Sequence, residues 1–389
     1  MHDQPLYLDN HATTRVDPRV LAAMLPFFSE HYGNAASINH RFGWDARDAV
    51  TAARLQVSDL LQTDPRSVVL TSGATEANNL AIKGVVNAAL KTTARCHVVT
   101  NVAEHRSVLE PISRLERSGV AVSWLSVDEF GQVSAAAVAD ALRPETVLVS
   151  VMHANNEVGT LNPVAAIASV CRSRGVLFHC DAVQAAGKVP LDFGGEPFDL
   201  LSLSAHKLYG PKGVGALVVR RGSRAARLEP LFDGGGQESH LRSGTLAVPL
   251  IVGFGAACAL AKAELPTEAV RLQELRDRLW QRLSERIEGL HLNGHPTQRL
   301  PGNLNISIEG VDGDALMNAM TEIAVSSGSA CTSADPEPSH VLRAMGRSDR
   351  LTRASLRFGL GRFTTSEEID FASGYVSEQV ERLRAQTRG

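Results

Sequence analysis

Strands and helices alternate through the middle of the chain, and this order constrains the fold more than any other feature. Short apolar runs rich in valine and leucine are separated by segments whose apolar residues recur at helical spacing. The predicted strands are 68–70, 97–100, 120–127, 147–152, 176–179, 200–203 and 215–219. Strands that alternate with helices form a mostly parallel sheet that is covered on both faces. The pattern therefore predicts an α/β fold.

The alternation ends after the last of these strands, and this change predicts a second, smaller unit. Long helices are predicted at 256–264 and 268–287, and shorter strands and helices follow them. We therefore expect a large domain at 14–258 and a small α+β domain formed by 1–13 and 259–389.

Composition and charge exclude several classes of protein. The chain has 389 residues, of which 44% are hydrophobic and 21% are charged, as in ordinary globular proteins. A formal net charge of −3 argues against direct nucleic-acid binding, and no unbroken apolar run is long enough to suggest a membrane partner. The five cysteines lack paired spacing, so neither a disulfide framework nor a metal site is expected. No secretory leader is visible, and a cytoplasmic location is expected.

The stretch Ser204-Ala205-His206-Lys207 follows an apolar run, as expected of a buried strand that delivers polar residues to a site. Lysine is seldom buried unless it is paired, and its amine can form a Schiff base with a carbonyl cofactor. Ser204 and His206 offer a hydroxyl and an imidazole to a phosphate group. This combination suits pyridoxal phosphate. The alternative is a partly exposed structural lysine.

Residues 68–76 have the pattern of a strand, a turn of small residues and a helix start. Free N–H groups at a helix start bind phosphate, and Ala74 and Thr75 are the donors we expect. The alternative is an ordinary turn in which Thr75 caps the helix.

Asp181 follows the strand at 176–179, where its carboxylate could hold the proton of a pyridine nitrogen. Gln184, one turn later, could donate a hydrogen bond to the phenolic oxygen of the same ring. The alternative is that Asp181 caps a helix at 182–188.

Three other polar residues follow predicted strands or lie within one. His105 could stack on a cofactor ring and move protons, or it could be a surface histidine. Asn156 could contact the cofactor or a substrate carboxylate, or belong to a plain turn. Arg357 lies between apolar neighbours, where its guanidinium could bind an amino-acid carboxylate. Its alternative role is a salt bridge at a sheet edge.

Cys331 differs from the other four cysteines, which lie at strand or helix positions where cysteine is usually a small buried hydrophobe. It lies among Ser, Gly, Ala and Thr residues in a segment at about 326–336 that we expect to be exposed and mobile. A mobile thiolate could reach a substrate and then carry a group away. The alternative is an incidental loop cysteine.

With these residues in place, the chain resembles the class V aminotransferase-like family of pyridoxal-phosphate enzymes, and within it the cysteine desulfurases of the NifS and IscS type. The resemblance runs from Tyr7-Leu8-Asp9-Asn10-His11-Ala12-Thr13-Thr14 to residue 365. Its most specific stretches are 71–76, 206–213, 242–245 and 326–333. It implies the PLP-dependent transferase fold type I, with a seven-stranded sheet in the large domain. It also implies conversion of L-cysteine to L-alanine, with the sulfur held as a persulfide on Cys331.

The resemblance implies a role for each matching residue. Lys207 forms the Schiff base and removes the Cα proton, and His105 stacks on the ring and helps proton transfer. The other expected contacts are to the pyridine ring (Asp181, Gln184), the phosphate (Ala74, Thr75, Ser204, His206), the phosphate in the partner subunit of a homodimer (Thr245), and substrate cysteine (Asn156, Arg357, with Asn34 a weaker candidate). A protein sulfur acceptor or scaffold completes the expected partners.

The chain departs from the family pattern in several places. Ala35 replaces the usual proline after Gly-Asn, Ala205 replaces a common glycine, and Ser239-His240 replaces the usual Arg-Gly beside Thr245. The C-terminal extension of IscS-type members is also missing, so docking of a scaffold is expected to differ.

Two alternative functions are a selenocysteine lyase, or another lyase of the same fold, and a non-catalytic sulfur carrier. The intact set of Lys207, His105, Asp181 and Cys331 argues against a non-catalytic protein. Iron–sulfur clusters, tRNA thiolation, phosphorothioate DNA modification and cofactor biosynthesis are all open as destinations of the sulfur.

Overall fold

The computed structural model describes residues 4–222, 224–327 and 338–388. Cys331 and most of the predicted cysteine loop lie outside these residues. The described α-helices are α1 (Pro18–Met24), α2 (Pro26–Ser29), α3 (Arg41–Leu60), α4 (Ala74–Leu90), α5 (Arg106–Arg117), α6 (Ala135–Ala141), α7 (Val164–Ser173), α8 (Val248–Arg286), α9 (Gly313–Ala319), α10 (His340–Ala344), α11 (Asp349–Arg353) and α12 (Ser366–Arg388). The strands are β1 (Leu6–Tyr7), β2 (Val68–Thr71), β3 (His97–Asn101), β4 (Ala121–Leu125), β5 (Thr146–Ser150), β6 (Leu177–Asp181), β7 (Leu200–Ser204), β8 (Gly215–Val219), β9 (Leu290–Asn293), β10 (Asn303–Ile308), β11 (Ile323–Ala324) and β12 (Ser355–Gly359).

The seven predicted strands form one sheet in the order β2-β8-β7-β6-β5-β3-β4. All neighbours are parallel except β8, which is antiparallel to both β2 and β7. Because successive side chains of a strand point to opposite faces, Leu200 and Leu201 of β7 enter two different hydrophobic cores. This confirms the predicted α/β fold with a mostly parallel seven-stranded sheet.

The smaller unit contains a three-stranded antiparallel sheet, β12-β10-β9. A separate parallel pair joins the two ends of the chain, since Leu6 of β1 lies opposite Ile323 of β11. Leu8, Leu356 and Val376 pack in one core between this sheet and its helices.

Helix α8 joins the two units as one continuous element of 39 residues. The sequence predicts two helices here because Pro266 removes a backbone hydrogen-bond donor, but the helix continues through the proline. Phe254 and Ala257 lie in a core of the large sheet, whereas Leu279 and Leu283 lie in the core of the small one. By length and composition alone α8 could cross a membrane, yet these fully buried residues show that it also serves as a core helix.

The departure at Ser239-His240 lies in a backbone segment of unusual conformation. Glu238, Ser239 and His240 have φ values of 50°, 56° and 65°, in the left-handed region that favours glycine. The buried Glu238 carboxylate anchors the segment through a salt bridge of 2.6 Å to Arg54 and accepts the N–H of Leu70 at 2.7 Å. The segment is therefore fixed to the edge of the sheet. Ser239 and His240, which replace the usual Arg-Gly, both have left-handed backbone conformations although neither is glycine.

Candidate active site

A cavity of about 540 Å³ lies at the carboxyl ends of the parallel strands, where ligands bind in open α/β sheets. Ten of the predicted site residues line it: Ala74, Thr75, His105, Asn156, Asp181, Gln184, Ser204, His206, Lys207 and Arg357. Within the described part of the chain, Asn34 and Thr245 do not line it, and both are exposed. Cys331 lies outside the described residues. The structure thus brings together residues that are far apart in sequence.

Lys207 lies one short turn beyond β7, in a 3-10 segment that begins directly after Ser204. Its Nζ donates to the carbonyl oxygens of His11 and Ala12 at 2.5 and 2.6 Å. The N-terminal segment therefore holds the amine at the wall of the cavity.

The start of α4 forms another wall. Gly73 is the N-cap residue of α4, so Thr75 is not the cap. Gly73 has a φ of 148°, a value that few residues other than glycine adopt. The first N–H groups of a helix have no intrahelical partner, and those of Ala74 and Thr75 lie beside the cavity. This turn fits an anionic group such as phosphate.

His206 lies opposite, with Nδ1 3.1 Å from the Thr13 hydroxyl. Burial, together with the charges of Lys207 and Lys212, lowers the pKa of His206 to about 4. The imidazole is therefore neutral at pH 7 and can offer one N–H to a ligand.

Asp181 ends β6 and is buried. One carboxylate oxygen accepts the backbone N–H of Val183 at 3.0 Å, and the other accepts from the Asn78 amide at 2.8 Å. Residues 182–188 form turns and not a helix, so Asp181 is not a helix cap. Its carboxylate lines the cavity.

His105 is linked to Asp181 by two buried side chains. The Asn78 amide also donates to the Ser107 hydroxyl at 2.8 Å, and this hydroxyl lies 2.7 Å from His105 Nδ1. Because the Ser107 hydroxyl accepts from Asn78, its own proton is free to be donated to His105 Nδ1. The Ser107 backbone N–H also donates to Nδ1, at 3.1 Å. His105 Nδ1 is therefore an acceptor, and the proton of the neutral ring is on Nε2. Burial lowers the pKa of His105, which favours this neutral form.

Arg357 lies in β12 with a buried side chain. It forms a salt bridge of 2.7 Å with Asp9 and donates to the Asn156 carbonyl at 3.0 Å. It thus has the salt bridge of its alternative role and also lines the cavity. Among the described residues, its Nε has no hydrogen-bond partner.

Sequence reasoning missed His11, Lys188 and Asn78 as parts of this site. His11 lines the cavity, and Lys188 donates to the Gln184 side chain at 3.0 Å. Burial and the charge of Lys207 lower the pKa of Lys188 to about 7. The polar residues that follow β1 could have indicated His11 from the sequence, but no comparable sequence pattern indicates Asn78 or Lys188.

Several buried histidines predict a loss of stability in mild acid. Burial lowers the pKa of His153 and His179 to about 4, as for His206, and lowers that of His11 well below its usual value. Each binds a proton below about pH 6.5 when unfolded but not when folded, so acidification favours unfolding. Burial raises the pKa of Glu104 to about 8, and its contribution opposes this trend.

We expect the free energy of unfolding to fall on the order of 2 kcal/mol between pH 6.5 and 5, because the histidines outnumber the opposing carboxyl groups. Urea unfolding at the two pH values measures this change. Glu104→Gln is the matched variant: it removes one of the opposing carboxyl groups, so the fall should become steeper. An equal free energy at both pH values would contradict the prediction.

Within the described ranges, no cluster of three or more His, Cys, Asp or Glu side chains could hold a metal ion.

Comparisons with known proteins identify the family of the chain. The aminotransferase class-V family model matches residues 6–371. Cysteine desulfurase IscS of Anaeromyxobacter dehalogenans strain 2CP-C is 54% identical over 380 residues, which cover 98% of this chain and 93% of that protein. The solved structure of a NifS-like protein is 36% identical, covers 98% of this chain and 100% of its own, and superposes with a TM-score of 0.90. That of SspA in complex with cysteine is also 36% identical, with 92% and 100% coverage and a TM-score of 0.82. The chain therefore belongs to the class-V aminotransferase family, among the cysteine desulfurases of the NifS and IscS type.

Proposed function

We propose that the chain is a pyridoxal-phosphate-dependent cysteine desulfurase that converts L-cysteine to L-alanine and holds the sulfur as a persulfide on Cys331. The observation that carries the proposal is the single cavity that joins Lys207, Asp181, His105 and Arg357. The identity to a cysteine desulfurase over nearly the whole chain supports it.

The residues of the cavity fit pyridoxal phosphate, which the family uses. A primary amine, a buried carboxylate and a helix start with free N–H groups face one space of suitable size. Lys207 would hold the aldehyde carbon, Asp181 and Gln184 the ring, and His105 would stack on it. Ala74, Thr75, Ser204 and His206 would hold the phosphate. When bound, the cofactor supplies an electron sink for the substrate Cα.

The chain's own groups then have distinct tasks. Arg357 and Asn156 would hold the substrate carboxylate, and Lys207 would remove the Cα proton. His105, neutral and protonated on Nε2, can give that proton to a substrate atom. The Cys331 thiolate would attack the substrate sulfur: an S–S bond forms and the bond from sulfur to the β-carbon breaks. The β-carbon then takes up a proton to become the methyl group of alanine, and Lys207 returns a proton to Cα.

We also propose that the active unit is a homodimer. Thr245 is exposed and outside the cavity of its own chain, as expected if it serves the partner's phosphate site. Large apolar side chains are exposed at 21–44, among them Leu25, Phe28 and Ile38. A surface of this kind is typical of protein interfaces. Asn34 lies in the same segment, so its part in substrate binding is tied to this interface.

Other parts of the proposal rest on the sequence and on the family. We propose the domain division at 14–258 against 1–13 and 259–389, a cytoplasmic location, and transfer of the sulfur to a protein acceptor or scaffold. The two hydrophobic cores that share α8 support the division. Iron–sulfur cluster assembly is the destination that the IscS relatives favour.

The function is tested by incubating the purified, cofactor-loaded protein with L-cysteine and a thiol reductant. Equal amounts of alanine and sulfide are expected. If no alanine forms from cysteine but selenocysteine is converted, the protein is a selenocysteine lyase. Protein that binds no cofactor would favour the non-catalytic carrier.

Arg357→Lys keeps the positive charge but loses the planar guanidinium fork. We expect KM for L-cysteine to rise about ten-fold with a smaller change in kcat, since one charge-assisted hydrogen bond to the carboxylate is lost. Steady-state rates of alanine formation measure both constants. Arg343→Lys, on a half-exposed arginine paired with Asp349, is the matched control and should leave KM unchanged. An unchanged KM in Arg357→Lys would assign carboxylate binding elsewhere.

A further inference from the structure

Arg299 is a buried arginine whose hydrogen bonds all go to uncharged oxygen atoms. It lies between β9 and β10 and is 5% exposed. Its guanidinium donates to the carbonyls of Val158 and His295 at 3.1 and 3.4 Å, and to the Asn303 side-chain oxygen at 3.1 Å. Burial and the charge of Arg276 lower the pKa of Arg299 to about 9, so the group is still charged at pH 7. A buried charge that no partner neutralises is costly, which points to a role for the contacts that it makes.

The contact with Val158 places Arg299 on the turn that carries Asn156. This turn, residues 155–159, is closed by Asn155, whose side-chain oxygen accepts two main-chain N–H groups of the turn at 2.8 and 3.0 Å. Asn156 lines the cavity, but among the described residues its side-chain amide has no hydrogen-bond partner. The position of that amide is therefore determined by the main chain of the turn.

Side chains of the smaller unit bind three consecutive carbonyl oxygens of this turn. Arg357 donates to the Asn156 carbonyl at 3.0 Å. Asn303 and Asn305 both donate to the next carbonyl, at 3.2 and 3.1 Å. Arg299 donates to the third, at 3.1 Å. Because Arg357 also lines the cavity, these bonds fix the turn relative to the arginine that would bind the substrate.

Arg299 also orients one of the other donors. A guanidinium can only donate, so the Asn303 atom that it contacts is the side-chain oxygen. The Asn303 amide nitrogen therefore faces the turn and donates to the Glu157 carbonyl. The chain beside Arg299 holds the end of the same turn, since the Gly159 carbonyl accepts the Leu300 N–H at 2.9 Å. Removing the guanidinium would thus release one carbonyl of the turn and allow the amide of a second donor to rotate.

The substrate would present one carboxylate to both Arg357 and Asn156. We propose that Arg299 is a positioning residue for substrate binding, which fixes the main chain of the turn so that Asn156 and Arg357 bind the same carboxylate. Within the described ranges Arg299 does not line the cavity, so it acts through Asn156 without touching the substrate. This deepens the proposed function and rests on it for the identity of the substrate. A purely structural role would change stability but not the affinity of the folded protein for its ligands.

The test compares two ligands of the cofactor-loaded enzyme. L-Alanine carries an amine and a carboxylate, whereas cysteamine carries the amine and thiol of cysteine but no carboxylate. Arg299→Met removes the donors and keeps a long side chain. We expect its apparent Kd for L-alanine, measured by calorimetry, to rise about five-fold, and that for cysteamine to stay within about two-fold of the wild type. Arg299→Lys keeps the charge and one donor group, and should recover part of the affinity for L-alanine.

Two further variants identify the route of the effect. In the Asn156→Ala background, Arg299→Met should weaken L-alanine binding little further, because residues that act through one contact are not additive. Multiplied effects in the double variant would overturn the proposal. Arg220→Met is the matched control, since Arg220 also donates to main-chain carbonyls, among them that of Phe193 at 2.7 Å, but does not line the cavity. Its Kd for each ligand should equal that of the wild type.

Equal weakening of both ligands in Arg299→Met, or an unchanged Kd for L-alanine, would also overturn the proposal. If Arg299→Met does not fold, Asn305→Leu decides, because it removes another donor to the same turn and should cause the same selective loss. An unchanged Kd for L-alanine in Asn305→Leu would contradict the positioning role. Turnover of L-cysteine is measured separately on the wild type. Its absence would refute the desulfurase function, whereas the comparison of the two ligands would still test Arg299.

Discussion

Lys207→Ala is expected to abolish the formation of alanine from L-cysteine, with a fall in rate of more than about 10³-fold, because one amine supplies both the covalent link to the cofactor and the base for the Cα proton. Two main-chain carbonyls, of His11 and Ala12, hold this amine at the cavity wall. Steady-state alanine formation measures the loss, and the absorption spectrum reports whether the cofactor is still bound.

Lys262→Ala serves as the matched control, since this exposed lysine lies outside the cavity and should leave the rate unchanged. A small primary amine in solution should restore part of the activity of Lys207→Ala by replacing the missing base. Alanine formation at the wild-type rate in Lys207→Ala would show that another residue has this role.

Cys331→Ala is expected to eliminate the persulfide and to reduce alanine formation by more than about 10²-fold, because its thiolate is the nucleophile that takes the sulfur. The other cysteines are poor substitutes. Cys171, Cys180 and Cys258 are buried, and burial raises the pKa of each thiol, to about 12 for Cys171. A thiol in such surroundings stays protonated and cannot attack sulfur.

Mass spectrometry after one turnover with L-cysteine measures the effect directly, as a gain of one sulfur atom on the peptide that contains Cys331. Cys258→Ala is the control and should gain the sulfur at the same position. If Cys331→Ala forms alanine as fast as the wild type, the loop thiol is not the nucleophile and a lyase mechanism replaces the desulfurase mechanism.

The predicted fold depended on local patterns, and these were sufficient for the large sheet. The apolar runs correspond to its seven strands because all but the half-buried edge strand β4 are largely buried on both faces and are therefore continuously apolar. No such pattern predicts the reversed direction of β8, which follows from the short connection after β7, in which there is no α-helix. The predicted break in α8 was wrong because a single proline in a long packed helix costs less than exposing the two cores.

Some residues of the site could also be identified from local sequence patterns, whereas others could not. Lys207 and Asp181 were identified because each ends an apolar strand, a feature visible in a few neighbouring letters. His11 and Gln184 are in contact across 173 positions of sequence, and the same Gln184 side chain also contacts Lys188. Relations of this kind arise only when the chain is folded, so no local pattern contains them.

The pairing of β1 with β11 has a consequence for the order in which the protein is made. Residues 6–7 leave the ribosome first, but their partners at 323–324 come more than three hundred residues later. The salt bridge of Asp9 likewise forms only after Arg357 has been synthesised, and the His11 carbonyl accepts its hydrogen bond only after Lys207 has been synthesised. The large sheet can assemble during translation, since domains fold as units while the rest of the chain is synthesised. The amino-acid end of the cavity forms only when translation is nearly complete, so a truncated nascent chain would lack a finished substrate site.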